Sequence, residues 1–181
     1  MLLNGVNHVA ILTKDTQRFV DFYRDVSEAE VLGEQRMGDE GVLTFVRIGD
    51  MSEINLFEVS GNTEAERQTP MFGRGRIDHL GLQAESLDAF EEIRRRLMDR
   101  GAADEFVTDF GPVLSMFFTD PDGLEGEVCV ANLADGKIEK VIRMGINPVV
   151  RQRGFAFGVR KCFIYCIHCN YSFCNAHATK R

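Results

Sequence analysis

The strongest constraint on how this chain can fold is that most of it is written twice. "NHVAILTKDTQRFVDFYRDV", starting at residue 7, aligns with "DHLGLQAESLDAFEEIRRRL", starting at residue 78. Each copy reads as a strand, a short polar cap and an amphipathic helix. In the first copy Thr13 to Thr16 precede Phe19, Val20, Phe22, Tyr23 and Val26. In the second Ser86 precedes Leu87, Phe90, Ile93, Leu97 and Met98, again at the spacing that gathers apolar side chains on one helical face. Gly101 supplies a stop for the second helix. Three strand-like runs follow each helix: "AEVLGEQRM", "GVLTFVRIG" and "EINLFEVS", then "EFVTDFG", "VLSMFFTD" and "EGEVCVA". The repeating unit is therefore βαβββ, with the polar, glycine-punctuated stretch from Gly61 to Gly75 as the linker.

The repeat also aligns the polar exceptions. His8 and His79 lie 71 residues apart, and Glu58 and Glu127, each in the last strand of its unit, lie 69 apart. Side-chain alternation puts Val6, His8, Ala10 and Leu12 on one face and Val9 and Ile11 on the other. In the fifth strand His79 shares its face with Gly81 and Gln83, while Leu80 and Leu82 turn away. Glu127 shares a face with Glu125 and Cys129, and Glu58 with Ile54 and Leu56. With the helices covering the aliphatic faces, both imidazoles are left on the other side of the sheet, beside small residues.

Two imidazoles and one or two carboxylates on one face make the donor set of a divalent first-row metal, with positions open for water or substrate. The plainer alternative is a pair of hydrogen-bonded histidines and two solvated glutamates. Recurrence in register across an internal repeat favours the metal. The expected ligands are His8, Glu58, His79 and Glu127.

"NHVAIL", "FYRDV", "LFEVSGN", "DHLGL" and "FTDPDGLEGEV" together resemble the vicinal oxygen chelate superfamily, which includes glyoxalase I, extradiol ring-cleaving dioxygenases, methylmalonyl-CoA epimerase and fosfomycin-resistance enzymes. The resemblance runs from residue 4 to about 132 and rests on the order and spacing of the motifs. It implies an α+β fold in which two tandem βαβββ modules (4–60 and 76–132) form an open, cup-shaped, eight-stranded mixed sheet with helices on its outer face. Carried over, His8 matches the first-strand ligand, His79 the fifth-strand ligand and Glu127 the eighth-strand carboxylate. Glu58 falls where glyoxalase I has a fourth ligand. Leu124 stands where an asparagine usually follows the turn, and Glu125 offers a neighbouring carboxylate.

The reaction this implies is metal-dependent isomerase, lyase or epimerase chemistry on a small molecule, with Ni, Zn, Mn, Co or Fe as the cofactor and with Glu127 and Glu58 as the catalytic bases such chemistry needs. Ferrous ring cleavage is an alternative, but the body holds two histidines and a single tyrosine, Tyr23, on the first helix. A metal-free protein that binds or sequesters small molecules is a third class. Phe45, Arg47, Met71, Phe72, Phe117 and Phe118 are candidates to line the cup, although strand Phe and Met are commonly plain core and Arg47 reads first as a surface residue.

Composition excludes classes rather than choosing one. A net charge of −7 argues against general affinity for nucleic acid. No run is long enough to cross a membrane and no basic-then-apolar leader opens the chain, so the expected address is cytoplasmic. Charge is uneven: residues 1–131 carry 12 Lys and Arg against 26 Asp and Glu, whereas 132–181 carry 9 against 2. Residues 133–181 read as a basic, cysteine-rich, poorly structured extension to the 1–132 domain. Its Cys166/Cys169 and Cys174/His177 spacing only superficially suggests zinc. A homodimer that completes the cup between chains is compatible with the repeat.

Overall fold

Both modules form in the expected order. In the computed structural model the first comprises β1 (His8–Thr13), α1 (Thr16–Ser27), β2 (Glu30–Arg36), β3 (Gly41–Gly49) and β4 (Ser52–Val59). The second comprises β5 (Leu80–Gln83), α2 (Leu87–Asp99), β6 (Thr108–Asp109), β7 (Val113–Thr119) and β8 (Glu125–Ala131). The structure describes residues 2, 5–67, 69, 73–74 and 76–132. The extension with its Cys/His spacing, and Met71 and Phe72, lie outside the described residues.

Local chemistry sets the helix limits. The Asp15 side chain accepts from the Arg18 amide at 2.9 Å and Ser86 Oγ accepts from the Ala89 amide at 3.1 Å, each satisfying a first-turn N–H that has no helical acceptor. Beyond α2, Gly101 adopts a left-handed φ of 65° and its amide donates to the Met98 carbonyl at 2.9 Å. The run "EFVTDFG" yields only the two residues of β6. The Asp104 side chain accepts from the Phe106 amide and Asp109 from the Gly111 amide, so side-chain turns take up the backbone at both ends of the run.

The eight strands form two four-stranded mixed sheets, ordered β1-β4-β3-β2 and β5-β8-β7-β6. β1 runs parallel to β4 and β5 parallel to β8, while the other pairings are antiparallel. β1 and β5 are therefore edge strands, each lying in its own sheet beside the strand that carries the module's carboxylate candidates.

One apolar core serves both modules. Phe19, Tyr23, Ile54 and Leu56 of the first cluster with Phe90, Leu97, Leu114, Met116 and Val128 of the second. Burying each such side chain contributes about 1.5–3 kcal/mol. Phe118 of β7 stacks on Phe22 at 6.2 Å between ring centroids and meets Tyr23 edge-on at 6.3 Å. The Asp120–Gly123 turn closes the junction: Thr13 Oγ1 and an Arg18 guanidinium nitrogen both donate to Asp122 at 2.5 Å. Arg96 to Glu28 (2.9 Å) and Arg100 to Asp25 (2.6 Å) bridge the helices. The modules thus meet through the aliphatic sides of their sheets, and the faces carrying the histidines turn away from this shared core. No helix among the described residues is long and apolar enough to cross a membrane.

Candidate functional site

The second module brings two of the expected residues together. His79 immediately precedes β5 and Glu127 lies on β8 opposite Gly81 in the parallel ladder. Glycine there leaves room: a Cβ at Gly81 would already touch Glu127 Oε2 at 3.7 Å. His79 Nε2 stands 3.1 Å from Glu127 Oε2. The other ring nitrogen, Nδ1, is 3.1 Å from the Asp78 carboxylate, and the buried Ser115 hydroxyl donates to Glu127 Oε1. Imidazole and carboxylate are each held from behind, and their facing atoms lie within hydrogen-bond reach of each other. Phe117, beside Glu127 on β7, walls the pair, its ring edge-on to His79 at 5.7 Å.

Glu125, two residues earlier on the same face, is otherwise engaged. Arg74 pairs with it at 3.2 Å, so Glu127 rather than Glu125 is the carboxylate presented to His79. Cys129 completes this face. Its thiol is pushed up to about 11, by burial first and then by the Glu127 charge, which keeps it protonated at neutral pH.

The first module holds His8 but not Glu58. His8 is exposed on β1, its Nδ1 2.8 Å from the Asn7 side-chain oxygen. Glu58 faces the other way: it shares the core-ward side of β4 with buried Ile54 and Leu56, and its Oε2 accepts from the Thr16 amide at 2.8 Å, in the first turn of α1. The two carboxylates are not equivalent. Ala10 pairs with Asn55 as Gly81 pairs with Glu127, and Phe45 opposes Asn55 as Phe117 opposes Glu127. Structural equivalence on the last strand is therefore 72 residues, not the 69 that matched Glu58 to Glu127. An odd difference in register exchanges the two faces of a strand. The partner of Glu127 in the repeat is Asn55, whose side-chain oxygen is buried with no hydrogen-bond partner. Alternation counted from Ile54 and Leu56 would have revealed this.

The remaining candidates divide between face and core. Phe45 and Phe117 lie on the histidine-bearing faces, whereas Phe118 is buried against α1. Arg47 is exposed and pairs with Glu30 across β2 and β3. Tyr23 is only 1 % exposed in the core, and burial, then the Asp120 and Asp122 charges, push its hydroxyl well above the usual range.

The donor chemistry fits a divalent ion. Two donors that each bind one first-row cation at about 2.1 Å stand about 3 Å apart, which is the separation of His79 Nε2 and Glu127 Oε2. Within one chain the donors stop at this pair: among the described residues no three His, Cys, Asp or Glu side chains converge tightly enough to hold a metal ion.

Comparison with known proteins gives the same architecture. The model of the Glyoxalase/Bleomycin resistance protein/Dioxygenase superfamily matches residues 5–128. A glyoxylase/bleomycin resistance protein/dioxygenase domain from Frankia sp. EAN1pec is similar in structure, with a TM-score of 0.59 and 24% identity over 71% of this chain and 93% of that one. TnmS3, an antibiotic binding protein from Streptomyces sp. CB03234, gives 0.52 and 22% identity over 72% and 98% of the two chains. Lactoylglutathione lyase from Agrobacterium tumefaciens gives 0.51 and 20% over 72% and 96%. At these identities the likeness is one of fold. No curated protein matches the chain.

Proposed function

The chain belongs to the Glyoxalase/Bleomycin resistance protein/Dioxygenase superfamily, and on that footing we propose that it is a divalent-metal-dependent enzyme of the glyoxalase-like class, acting on a small carbonyl compound. The observation that carries this reading is the His79–Glu127 pair at 3.1 Å, with Asp78 behind the imidazole and Ser115 behind the carboxylate. His8 and the unpartnered Asn55 oxygen form a matching half-site on the first module, but both half-sites face away from the shared core. The full donor set would come together when the β1–β4 face of one copy meets the β5–β8 face of another, as is common in closed twofold dimers. His8, His79 and Glu127 would hold the ion, with Asn55 as a neutral oxygen beside them.

When bound, the ion would polarise a substrate oxygen and stabilise negative charge developing on it. Glu127 supplies the base. With substrate oxygens taking its place at the cation, its Oε2 would take a proton from the carbon beside the substrate carbonyl and return it to the carbonyl carbon, as the substrate's hydroxyl proton passes to the former carbonyl oxygen, while Oε1 stays fixed by the Ser115 hydroxyl. Phe117 shields one side of the pair from water. Ring cleavage finds less support, because Tyr23 is locked in the core and cannot serve as an acid at the site.

A small-molecule binding protein without turnover is the second reading. One observation favours it: Asn55 stands where the repeat would put a second carboxylate, which lowers the anionic character of the site. Metal analysis of the full chain separates the readings. About one tightly held divalent ion per chain, lost in folded His79→Ala and Glu127→Gln variants, with metal-dependent isomerisation of a hemithioacetal or proton exchange beside a thioester, supports the enzyme. A folded, metal-free chain that still binds small aromatic ligands supports the binding protein. Bound iron with oxygen uptake on catechols restores the dioxygenase.

A further inference from the structure

Strand alternation presents two carboxylates, Glu125 and Glu127, on one face of β8, both within a residue or two of the β5 histidine in the ladder. Nothing in the alternation says which of them should serve as donor. Arg74, in the linker before β5, makes the distinction. Its side chain is only 10 % exposed. One terminal guanidinium nitrogen donates to Glu125 Oε2 at 3.2 Å, the other to the Asp78 carbonyl at 2.9 Å, and Nε to the Thr69 carbonyl at 2.6 Å. The Asp78 carboxylate, which backs His79 Nδ1, lies 3.8 Å from the same guanidinium. Glu125 Oε1 is buried and has no hydrogen-bond partner of its own.

Resting on the metal-centre reading above, we infer that Arg74 is a positioning residue that selects the donor carboxylate: it sequesters Glu125 and holds the Asp78–His79 backbone so that His79 and Glu127 form the pair offered to a cation. The planar fork of arginine suits the task, because a single group reaches a carboxylate and two carbonyls in fixed directions. Without the guanidinium, Glu125 would be a part-buried carboxylate lacking its counter-charge, and the nearest compensation would be the cation next door. The donor set would then gain a competing oxygen and His79 would lose its fixed aim.

Cobalt(II) added to the metal-free full-length chain tests this, with visible absorption reporting coordination and titration reporting affinity. Glu125→Gln should keep the wild-type spectrum and an affinity within about threefold of wild type, whereas Arg74→Met should change the spectrum and shift the affinity by about 10-fold or more as the freed Glu125 carboxylate joins the donors. The double variant Arg74→Met/Glu125→Gln should return most of the way to the wild-type spectrum, a rescue that a purely structural role of Arg74 does not give. Where Arg74→Met fails to fold, Arg74→Lys keeps the charge without the fork and should show an intermediate spectrum that Glu125→Gln again restores. A wild-type spectrum and affinity in Arg74→Met, or a double variant no closer to wild type than Arg74→Met, overturns the inference alone. A folded wild-type chain that takes up no cobalt overturns the metal-centre reading and the inference with it.

Discussion

Replacing Glu58 by alanine should lower stability by about 0.5–2 kcal/mol while leaving metal uptake of the full chain unchanged, because its carboxylate accepts a first-turn amide of α1 and faces the core side of β4. Denaturant unfolding and metal analysis of the same preparation check both halves of that statement. Asp120 carries a different residue-scale consequence. It is 4 % exposed; its Oδ1 accepts from the Asp122 and Leu124 amides while Oδ2 has no partner, and burial pushes its carboxyl up to about 6 from 3.8. The folded chain therefore holds this proton more tightly than the unfolded chain does. Its contribution is most favourable below about pH 4, declines as pH rises towards about 6, and is flat above that. Asp120→Asn keeps the acceptor for both amides without the charge. It should exceed wild-type stability by about 2–3 kcal/mol at pH 7.5, with the difference vanishing near pH 4. Unfolding curves across that range measure it, and a constant difference would show that Asp120 does not titrate there.

At the scale of elements, the tight fit between β7 and β8 matters most. A Cβ at Gly126 would meet the Phe118 ring at 2.2 Å, and that ring is pinned between Phe22 and Tyr23 of α1. Gly126→Ala should therefore destabilise the chain by about 1–3 kcal/mol through overpacking, read as a lowered denaturant midpoint at unchanged slope. Gly81 on β5 offers a contrast, since an added methyl there meets only ordinary contact with Glu127. One glycine serves the packing of helix on sheet, and the other leaves space beside the site. The helices and long strands were legible from apolar spacing and caps. β6 was not, because the short side-chain turns at Asp104 and Asp109 satisfy backbone that would otherwise extend the ladder.

For the whole molecule, the central fact is that the two modules share a core on their aliphatic sides and direct their histidine-bearing faces outward. Val6, Leu12 and Ile77 are exposed beside those histidines, on or next to the edge strands β1 and β5. Edge strands with exposed apolar side chains are a surface on which a second copy could pack. If a second copy supplies it, mixing His8→Ala chains with His79→Ala chains should restore metal binding that neither variant has alone. After random subunit exchange, half of the dimers are mixed and each has one intact site, so about a quarter of the wild-type sites should return. A mixture as inactive as its components would show that each site lies within one chain.

The sequence by itself determined the two βαβββ modules, their helix caps and the strands that carry His79 and Glu127, because these follow from local periodicity and from repetition, which survive without knowledge of the partner strand. It did not determine the offset between β4 and β8: alternation with Ile54 and Leu56 already put Glu58 on the core side, but only the ladder shows that the last strands match at 72 residues rather than 69. Nor did it show Asn55 as the counterpart of Glu127, Ser115 and Asp78 as their supports, or Arg74 as the cation that takes Glu125 out of contention. Ser115 and Arg74 reach their partners across 12 and 51 positions of chain, and it is packing that selects which side chains meet at such separations.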